Sequence, residues 1–391
     1  MSASTPNPET PATAEAAPAA FPATAPERLT MGVEEEFLLV DPRSRAPVGR
    51  GPRVVRAASG LLGARVQPEF FTAQVEVCSQ PASSAAALRA DLARLRSVLG
   101  AAAADEGCLL VASGTPPIPP DRPLVVSEGE RYRRMEERFP HAIGRYDQVV
   151  CGCHVHVGVT GRAQALALAN HMRPWLPVLQ ALAANSPYAH GGDTGYASWR
   201  SVEHAHWPTV GPAPVLDEDG YDRLAQALVQ RGTLMDRRMI YWYARPSEHV
   251  PTLEIRVADV TSDLDTVVLL AILVRGLAAT LTPEIDDGRP PPELASRALL
   301  EAHRLGAANG LDGEGLDPVA GLLVPAPQLL DRLLERAAPG LHAAGDLAVA
   351  AGIVERIRTR GNGAARQRSA YARRGRIRDV VDGLARSTAA A

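Results

Sequence analysis

The sequence contains no lysine, and all 41 of its basic residues are arginine. This absence excludes a Schiff-base lysine and the lysine of a Walker-type phosphate loop. Any phosphate group that the protein handles must therefore be held by arginine forks, backbone amides or metal ions.

Cysteine is scarce, with four residues in a chain of 391. So few cysteines in so long a chain do not provide a disulfide framework. Cys151 and Cys153 directly precede His154 and His156, but Cys-x-Cys joined to His-x-His is not a structural zinc spacing. On a strand, the two cysteines would share one face and the two histidines the other, so we expect buried thiols rather than a zinc site.

A strong overall charge and a long apolar run are also missing. The formal net charge of −3 offers no general basic surface for nucleic acid or acidic membranes. The longest apolar run, residues 267–281, is too short to span a bilayer and contains Arg275. The arginine-rich segment 356–378 has only Tyr371 among its arginines, which favours a solvated helical face over an RNA platform. We expect a cytoplasmic protein with no nucleic-acid or membrane partner.

The first 28 residues are rich in Ala, Pro and Thr and lack both a basic start and a continuous apolar stretch. This composition predicts a disordered tail rather than a signal peptide. The rest of the chain shows neither an internal repeat nor a linker. We therefore expect residues 29–391 to form one domain.

The order of predicted elements indicates an α+β fold. Strands and helices do not alternate regularly, so we expect a mostly antiparallel sheet with flanking helices. The predicted strands cover residues 30–40, 71–78, 108–112, 149–159, 239–243 and 252–257. The predicted helices cover residues 83–104, 127–138, 164–184, 221–231 and 265–281, and the chain after them is mainly helical.

Residues 30–41 place three consecutive glutamates within a strand of apolar residues. Because side chains alternate along a strand, Glu34 and Glu36 point to one face and Glu35 to the other. Two like charges buried on one face are costly unless a cation lies between them. Carboxylate oxygens are ligands that Mg²⁺ and Mn²⁺ prefer, although an edge strand with solvated glutamates would show the same pattern.

Three more strands carry polar residues at positions i and i+2 with aliphatic residues between them. Together with the first pair they predict one cavity lined by carboxylates, imidazoles and an arginine. Such a cavity could bind divalent cations and hold the charge that develops in phosphoryl transfer from ATP. The three pairs are Gln74 with Glu76, His154 with His156, and Glu254 with Arg256.

An ordered set of motifs adds a family resemblance that covers about residues 30–379. With these motifs the sequence resembles the glutamate–cysteine ligase type 2 family, in its carboxylate–amine ligase subgroup. The motifs are Gly32-Val33-Glu34-Glu35-Glu36-Phe37, Cys151-Gly152-Cys153-His154-Val155-His156-Val157-Gly158-Val159, Asn185-Ser186-Pro187, Gly192-Asp193-Thr194-Gly195 and Leu253-Glu254-Ile255-Arg256-Val257.

The resemblance implies a glutamine-synthetase-like catalytic fold and an ATP-dependent ligation assisted by Mg²⁺ or Mn²⁺. The γ-carboxylate of a glutamate-like acid would take the γ-phosphate of ATP, and an amine would displace phosphate from the acyl phosphate. It also implies a weak glutamate–cysteine ligase activity, with the amine unspecified, and a homodimer is a further expectation.

The resemblance also assigns roles to individual residues. Arg256 and Arg200 are the expected catalytic residues, contacting phosphate or the substrate carboxylate. Tyr196 and Trp199 would join Arg200 at the substrate, and Arg366 and Arg368 would join Arg256 at the nucleotide. The expected metal ligands are Glu34, Glu36, Glu69, Glu76, His154 and Glu254.

Two other functions fit the same residues. A non-catalytic relative could bind metal or nucleotide and sense a metabolite, although it would have no chemical need for every carboxylate. A metal-dependent hydrolase would use the cavity without requiring both ATP and an amine.

Overall fold

The structure is a computed structural model that describes residues 29–145 and 147–390. The tail that the sequence predicts over residues 1–28 lies outside the described residues. Buried apolar side chains form one connected core that runs from Met31 to Leu384.

The main sheet has seven strands, in the order β2-β3-β1-β5-β9-β8, with β4 paired to the end of β1. All of its strand pairs are antiparallel. Two short hairpins, β6–β7 and β10–β11, stand apart from it. The strands are β1 (Met31–Val40), β2 (Val66–Pro68), β3 (Gln74–Cys78), β4 (Leu109–Val111), β5 (Gly152–Gly158), β6 (Tyr188–Ala189), β7 (Gly192–Asp193), β8 (Ala244–Pro246), β9 (Thr252–Asp259), β10 (Glu314–Asp317) and β11 (Leu322–Pro325).

Helices flank this sheet, so the predicted α+β class with a mostly antiparallel sheet is confirmed. The helices are α1 (Gly51–Leu62), α2 (Ala85–Asp105), α3 (Glu130–Arg138), α4 (Pro140–Ile143), α5 (Arg162–Met172), α6 (Leu176–Ala183), α7 (Arg200–His204), α8 (Glu218–Gln230), α9 (Leu264–Asp286), α10 (Ser296–Asn309), α11 (Ala326–Ala344), α12 (Leu347–Arg360), α13 (Gly363–Ala372) and α14 (Ile377–Ala389).

Helix α2 shows how local sequence sets an element. The Ser84 hydroxyl accepts a hydrogen bond from the amide of Ala87 and caps the helix. Its leucines recur at helical spacing and are buried, so one stripe of α2 packs into the core. These leucines are Leu88, Leu92, Leu95 and Leu99.

Helix α9 is long and apolar enough to cross a membrane by length and composition, but most of its apolar stretch is buried inside the fold. Arg275 within it forms a buried ion pair with Asp346. Gly340 on α11 lies so close to Gly276 that a Cβ atom there would overlap the Gly276 carbonyl oxygen. The two glycines therefore let α9 and α11 cross closely. The prediction that this run is a core helix is confirmed.

The predicted strand at residues 239–243 is wrong. A turn of 3₁₀ helix covers Arg237–Met239, and the edge strand β8 begins at Ala244. The amides of Tyr241 and Tyr243 donate to Thr209 Oγ1 and to the carbonyl of Gly211. The preceding loop thus takes backbone groups that a strand would have offered to β9, although the aromatic residues favour a strand by propensity.

Candidate active site

One face of the central strands carries a row of acidic and imidazole side chains. The register aligns them across the sheet: Glu36 lies opposite Glu76, Glu34 opposite His154, and His156 opposite Glu254. Each residue comes from an alternating position, so the aliphatic neighbours point into the core on the other face. The four predicted pairs therefore do form one surface.

His154 lies at the centre of this row and is almost fully buried. Its Nδ1 is 3.1 Å from Glu34 Oε2 and 3.9 Å from Glu254 Oε1, and its Nε2 is 3.6 Å from Glu36 Oε1. Glu34 also lies near a second imidazole, with His156 Nε2 at 3.4 Å. Three carboxylates thus converge on one imidazole.

Charge and burial tune these groups in opposite directions. Burial alone would raise the pKa of Glu34, but the charge of His156 and hydrogen bonds to both histidines hold that pKa well below its usual value. Burial, with the nearby Arg256 guanidinium, lowers the pKa of His154. Glu34 is therefore a carboxylate at neutral pH, and His154 a neutral imidazole, which are the forms that bind metal ions.

Two arginines hold Glu254 on the same strand face. Burial alone would raise the pKa of Glu254, but Arg245 and Arg256 keep it far below its usual value. Arg245 Nε lies 2.8 Å from Glu254 Oε2, and Arg256 forms an ion pair with Glu254 Oε1. Sequence reasoning missed Arg245 because the misplaced strand at residues 239–243 left it outside the sheet.

Two further carboxyl groups, those of Glu69 and Glu76, have raised pKa values. Burial, together with the neighbouring Glu36 carboxylate, raises the pKa of Glu69 to about 7. Burial and the nearby Glu34 and Glu69 carboxylates raise the pKa of Glu76 well above its usual value. The neighbouring carboxylates repel one another here, and a bound cation would relieve this repulsion.

The donor set fits a hard divalent cation. Ligand atoms of Glu34, His154 and Glu254 lie within 4.8 Å of one another, and so do those of Glu34, Glu76 and Cys78. Carboxylate oxygens with one imidazole suit Mg²⁺ or Mn²⁺. Burial, with the Glu76 charge, raises the pKa of Cys78, so its thiol is a poor ligand for such an ion.

A cavity opens beside the row. Glu36, Glu69, His154, Arg200 and Arg256 line it, and it offers about 90 Å³ of space to water-sized molecules. Carboxylates and guanidiniums therefore face the same cavity.

Aromatic side chains form another wall of this cavity. The rings of Phe70 and Trp207 meet edge to face at 5.6 Å, and Trp207 meets Tyr241 at 6.1 Å. The guanidinium of Arg256 lies 5.7 Å from the centre of the Tyr241 ring. Sequence reasoning missed Phe70 and Tyr241, because they are distant in sequence and only the fold brings them together.

Arg200 reaches the cavity through a network centred on Asp259. The buried Asp259 carboxylate accepts hydrogen bonds from the Asn185 amide and from the hydroxyls of Ser186 and Ser198. The Ser186 hydroxyl accepts a bond from the Arg200 amide at 3.1 Å. The loop that begins α7 is thus fixed to the end of β9. Sequence reasoning missed Asp259, although it lies three residues after Arg256 on the same strand.

Gly152 leaves room for Arg200. A Cβ atom at this position would lie 2.6 Å from Arg200 Nη2 and 3.1 Å from His154 Nε2. The Gly152 amide also donates a 2.6 Å hydrogen bond to Glu36. A glycine is therefore required where the arginine, the imidazole and the carboxylate meet.

Glu35, the middle glutamate of the three in β1, forms a buried ion pair with Arg96. Glu35 is fully buried on the helix-covered side, where Arg96 of α2 donates to both of its carboxylate oxygens at 2.5 and 3.1 Å. Arg96 also donates to the carbonyls of Thr261 and Ser262. The prediction that Glu35 points away from the site is confirmed.

The two central cysteines do not share a face as predicted. Burial, with the Glu35 charge, raises the pKa of Cys153. Cys151 lies before β5 begins and contacts the amide of Gln74, 3.4 Å from its Sγ. Because β5 begins at Gly152, Cys151 lies outside the strand and strand alternation does not fix its direction. Both thiols are buried and free, as expected.

Comparison with known proteins adds a family to this geometry. The family model described as "Glutamate-cysteine ligase family 2" matches residues 30–383. The chain belongs to glutamate–cysteine ligase family 2. The resemblance seen in the sequence motifs is therefore confirmed, and the match includes every predicted site residue.

Relatives in this family match over nearly the whole chain. One is "Putative glutamate--cysteine ligase 2-2" of Mycobacterium sp. (strain KMS), which is 43% identical over 92% of this chain and 99% of its own. Another is "Putative glutamate--cysteine ligase 2" of Salinispora arenicola (strain CNS-205), 41% identical over 92% of this chain and 95% of its own.

Solved structures share the fold of this family member at low sequence identity. The glutamate–cysteine ligase of Francisella tularensis, solved in complex with AMP, has a TM-score of 0.69 at 12% identity and covers 92% of this chain and 88% of its own. A bifunctional glutathione synthetase of Pasteurella multocida has a TM-score of 0.64 at 14% identity. It covers 93% of this chain, which spans about half of that protein.

Not every residue that the family resemblance assigned lies at the cavity. Tyr196 and Trp199 pack edge to face at 5.5 Å, and Trp199 donates to Glu203 outside the lining. Arg368 binds Asp193, and Arg366 binds Asp263, both at 2.9 Å. The substrate and nucleotide roles of these four residues stay predictions.

Proposed function

We propose that this member of glutamate–cysteine ligase family 2 is an ATP-dependent carboxylate–amine ligase that activates the γ-carboxylate of glutamate or a similar acid. The observation that carries the proposal is the cluster of Glu34, His154 and Glu254, in which His154 lines the same cavity as Arg256. Acidic and imidazole ligands with nearby arginines are what phosphoryl transfer from ATP requires.

The carboxylates and His154 would hold Mg²⁺ or Mn²⁺ in this proposal. When bound, such an ion would offset the negative charge of the phosphate groups. Glu34 and Glu254 stay ionised and His154 stays neutral, so these residues need not lose a proton before binding it. Glu36, Glu69 and Glu76 complete the proposed ligand set.

The arginines supply the positive charge that the reacting groups need. Arg256 is buried at the cavity, where the Glu254, Glu36 and Glu34 carboxylates outweigh the effect of burial and raise its pKa, so it stays charged. Arg200 donates from Nη2 to the Arg256 carbonyl, while its buried Nε has no hydrogen-bond partner among the described residues. We assign both to phosphate or to a substrate carboxylate.

The proposed reaction has two steps. A carboxylate oxygen of the acid attacks the γ-phosphorus of ATP, forming an acyl phosphate while the bond to the β-phosphate oxygen breaks and ADP leaves. The amine nitrogen then attacks the acyl carbon, and the bond from carbon to the phosphate oxygen breaks as the nitrogen loses a proton. The products are an amide, ADP and phosphate, and the protein mainly positions the reactants and stabilises charge.

The continuous core supports the proposal that residues 29–391 act as one ligase domain. Cytoplasmic location, a homodimer and a weak activity with cysteine belong to the same proposal and stay predictions. The alternative of a metabolite sensor is not favoured, since the row keeps each predicted carboxylate.

An oxygen-labelling experiment tests this chemistry. Glutamate labelled with ¹⁸O in its γ-carboxylate is incubated with ATP, Mg²⁺ and an amine that supports turnover. One labelled oxygen should appear in inorganic phosphate, because the oxygen that attacks phosphorus leaves with it. Unlabelled phosphate released during turnover would contradict the acyl phosphate and favour a hydrolase that splits ATP with water.

A further inference from the structure

A second cleft lies between α13 and α14, and it shares no lining residue with the cavity beside Glu34. It offers about 470 Å³ of space to water-sized molecules, which is in the range of small-molecule sites. Four arginines line it: Arg366, Arg373, Arg374 and Arg386.

Carboxylates neutralise only part of this charge. Asp379 pairs with Arg374 through two hydrogen bonds of 2.6 and 2.8 Å, and Asp382, also in the lining, is engaged by Arg45 from outside it. The four guanidiniums therefore exceed the two carboxylates of the lining by two positive charges. Because the formal net charge of the whole chain is −3, this positive excess is local to the cleft.

Within the part of the chain that the structure describes, two of the arginines have no close carboxylate partner, although the charge of Arg386 contributes to the lowered pKa of Asp379. Arg373 and Arg386 make neither an ion pair nor a side-chain hydrogen bond within residues 29–145 and 147–390, and both are exposed at the cleft. The cleft therefore places two guanidiniums without a close carboxylate beside Arg366 and Arg374, which pair with Asp263 and Asp379.

Arg366 adds a desolvated donor. Its Nη1 binds Asp263 at 2.9 Å, whereas its Nη2 is buried and lacks a hydrogen-bond partner among the described residues. A buried donor left unpaired is costly. Polar groups of Ser262, Gln367 and Ser387 also border the cleft.

We propose that this cleft is an anion-binding site, separate from the proposed ligase cavity, for a small phosphate-bearing ligand with at least two negative charges. Arg373 and Arg386 supply guanidiniums without a close carboxylate partner, and Arg366 adds its positive charge to the lining. Guanidinium forks match phosphate oxygens in geometry and charge. A tricarboxylate would share the charge but not the tetrahedral oxygen arrangement.

Calorimetric titration of the full chain tests the proposal, with tripolyphosphate as the probe and a chelator present to remove divalent cations. Wild type should bind one equivalent, and the double variant Arg373→Gln/Arg386→Gln should bind at least tenfold more weakly. The matched control is Arg94→Gln/Arg122→Gln, which removes two exposed arginines that have no ion pair in the described part of the chain. It should bind like wild type.

Two further titrations distinguish binding at this cleft from binding at the ligase cavity, and phosphate recognition from general attraction of anions. Arg200→Gln changes the ligase cavity and should leave the tripolyphosphate affinity unchanged, and citrate should bind at least tenfold more weakly than tripolyphosphate. The proposal is overturned if wild type does not bind, if the cleft variant binds like wild type, or if only Arg200→Gln weakens binding. Equal affinity for citrate would overturn the assignment to phosphate.

Discussion

His154 Nδ1 lies 3.1 Å from Glu34 Oε2, directly across the pair of strands β1 and β5. The contact joins two motifs that are far apart in the sequence, residues 32–37 and 151–159. It forms because β5 returns antiparallel beside β1 in a register that places the imidazole opposite the carboxylate. The remaining carboxylates extend from this pair along the same face.

The metal ligands lead to the first prediction. Glu34→Gln and Glu254→Gln each replace a charged ligand by a neutral amide of the same size, so each should lower Mg²⁺-dependent ADP formation by about 10² or more. Circular dichroism should show an unchanged fold. Glu301→Gln, which changes a partly exposed glutamate whose ion pair is with Arg304, is the control and should keep full activity. Full activity in both site variants would refute the assignment.

The buried pair of Glu35 and Arg96 leads to a prediction about stability. Arg96→Leu leaves the Glu35 carboxylate buried without its partner, which should cost about 3–5 kcal/mol in the free energy of unfolding. The double variant Glu35→Leu/Arg96→Leu should regain much of this loss, because no charge is then buried. Urea denaturation measures both, and a loss below about 1 kcal/mol in the single variant would disagree with the buried contact.

Glu69 leads to a prediction about pH. Its pKa of about 7 in the folded protein lies above the ordinary value of 4.5, so the folded state favours the protonated carboxyl. The stability it contributes is complete below pH 4.5 and is lost as the pH rises through 7. With divalent cations removed, Glu69→Gln should therefore gain about 1–3 kcal/mol relative to wild type between pH 5 and pH 8.

Thermal unfolding across this pH range, compared between the two proteins, measures that gain. Adding Mg²⁺ should reduce it, because the ion would stabilise the charged carboxylates of the wild type. A constant difference between the proteins at all pH values would show that Glu69 does not titrate in this range.

Asp259 leads to a graded prediction about positioning. Ser198→Ala removes one of its three hydrogen bonds and should lower kcat/KM about fivefold, as expected for about 1 kcal/mol. Asp259→Ala removes all three and should lower it by 10-fold to 100-fold, with the larger part in KM for the acid if Arg200 binds the substrate carboxylate. Steady-state kinetics with thermal unfolding as a check would decide, and equal values for both variants would contradict the order.

The sequence predicted the site face well because alternation along a strand is a local rule. Glu34, Glu36, His154 and Glu254 all lie where that rule places them, and Glu35 lies on the opposite side. The rule failed at Cys151, which lies just before the strand begins at Gly152.

Partners that only the fold brings together could not be predicted. Arg96 meets Glu35 across 61 positions in the chain, and Asp259 meets Asn185 across 74. Arg245 was missed for another reason: backbone bonds to the loop at Thr209 and Gly211 delay the edge strand beyond the aromatic residues that favour it. Local propensity carries no information about such bonds.

Amine-dependent ADP release is the measurement that tests the central claim most directly. Purified protein is given ATP, Mg²⁺ and glutamate, with and without each member of a broad panel of amines that includes cysteine and ammonium. We predict ADP formation that requires both the γ-carboxylate substrate and an amine, and that the Glu254→Gln variant loses. ADP formation at the same rate without any amine, or no turnover across the whole panel, would contradict a carboxylate–amine ligase.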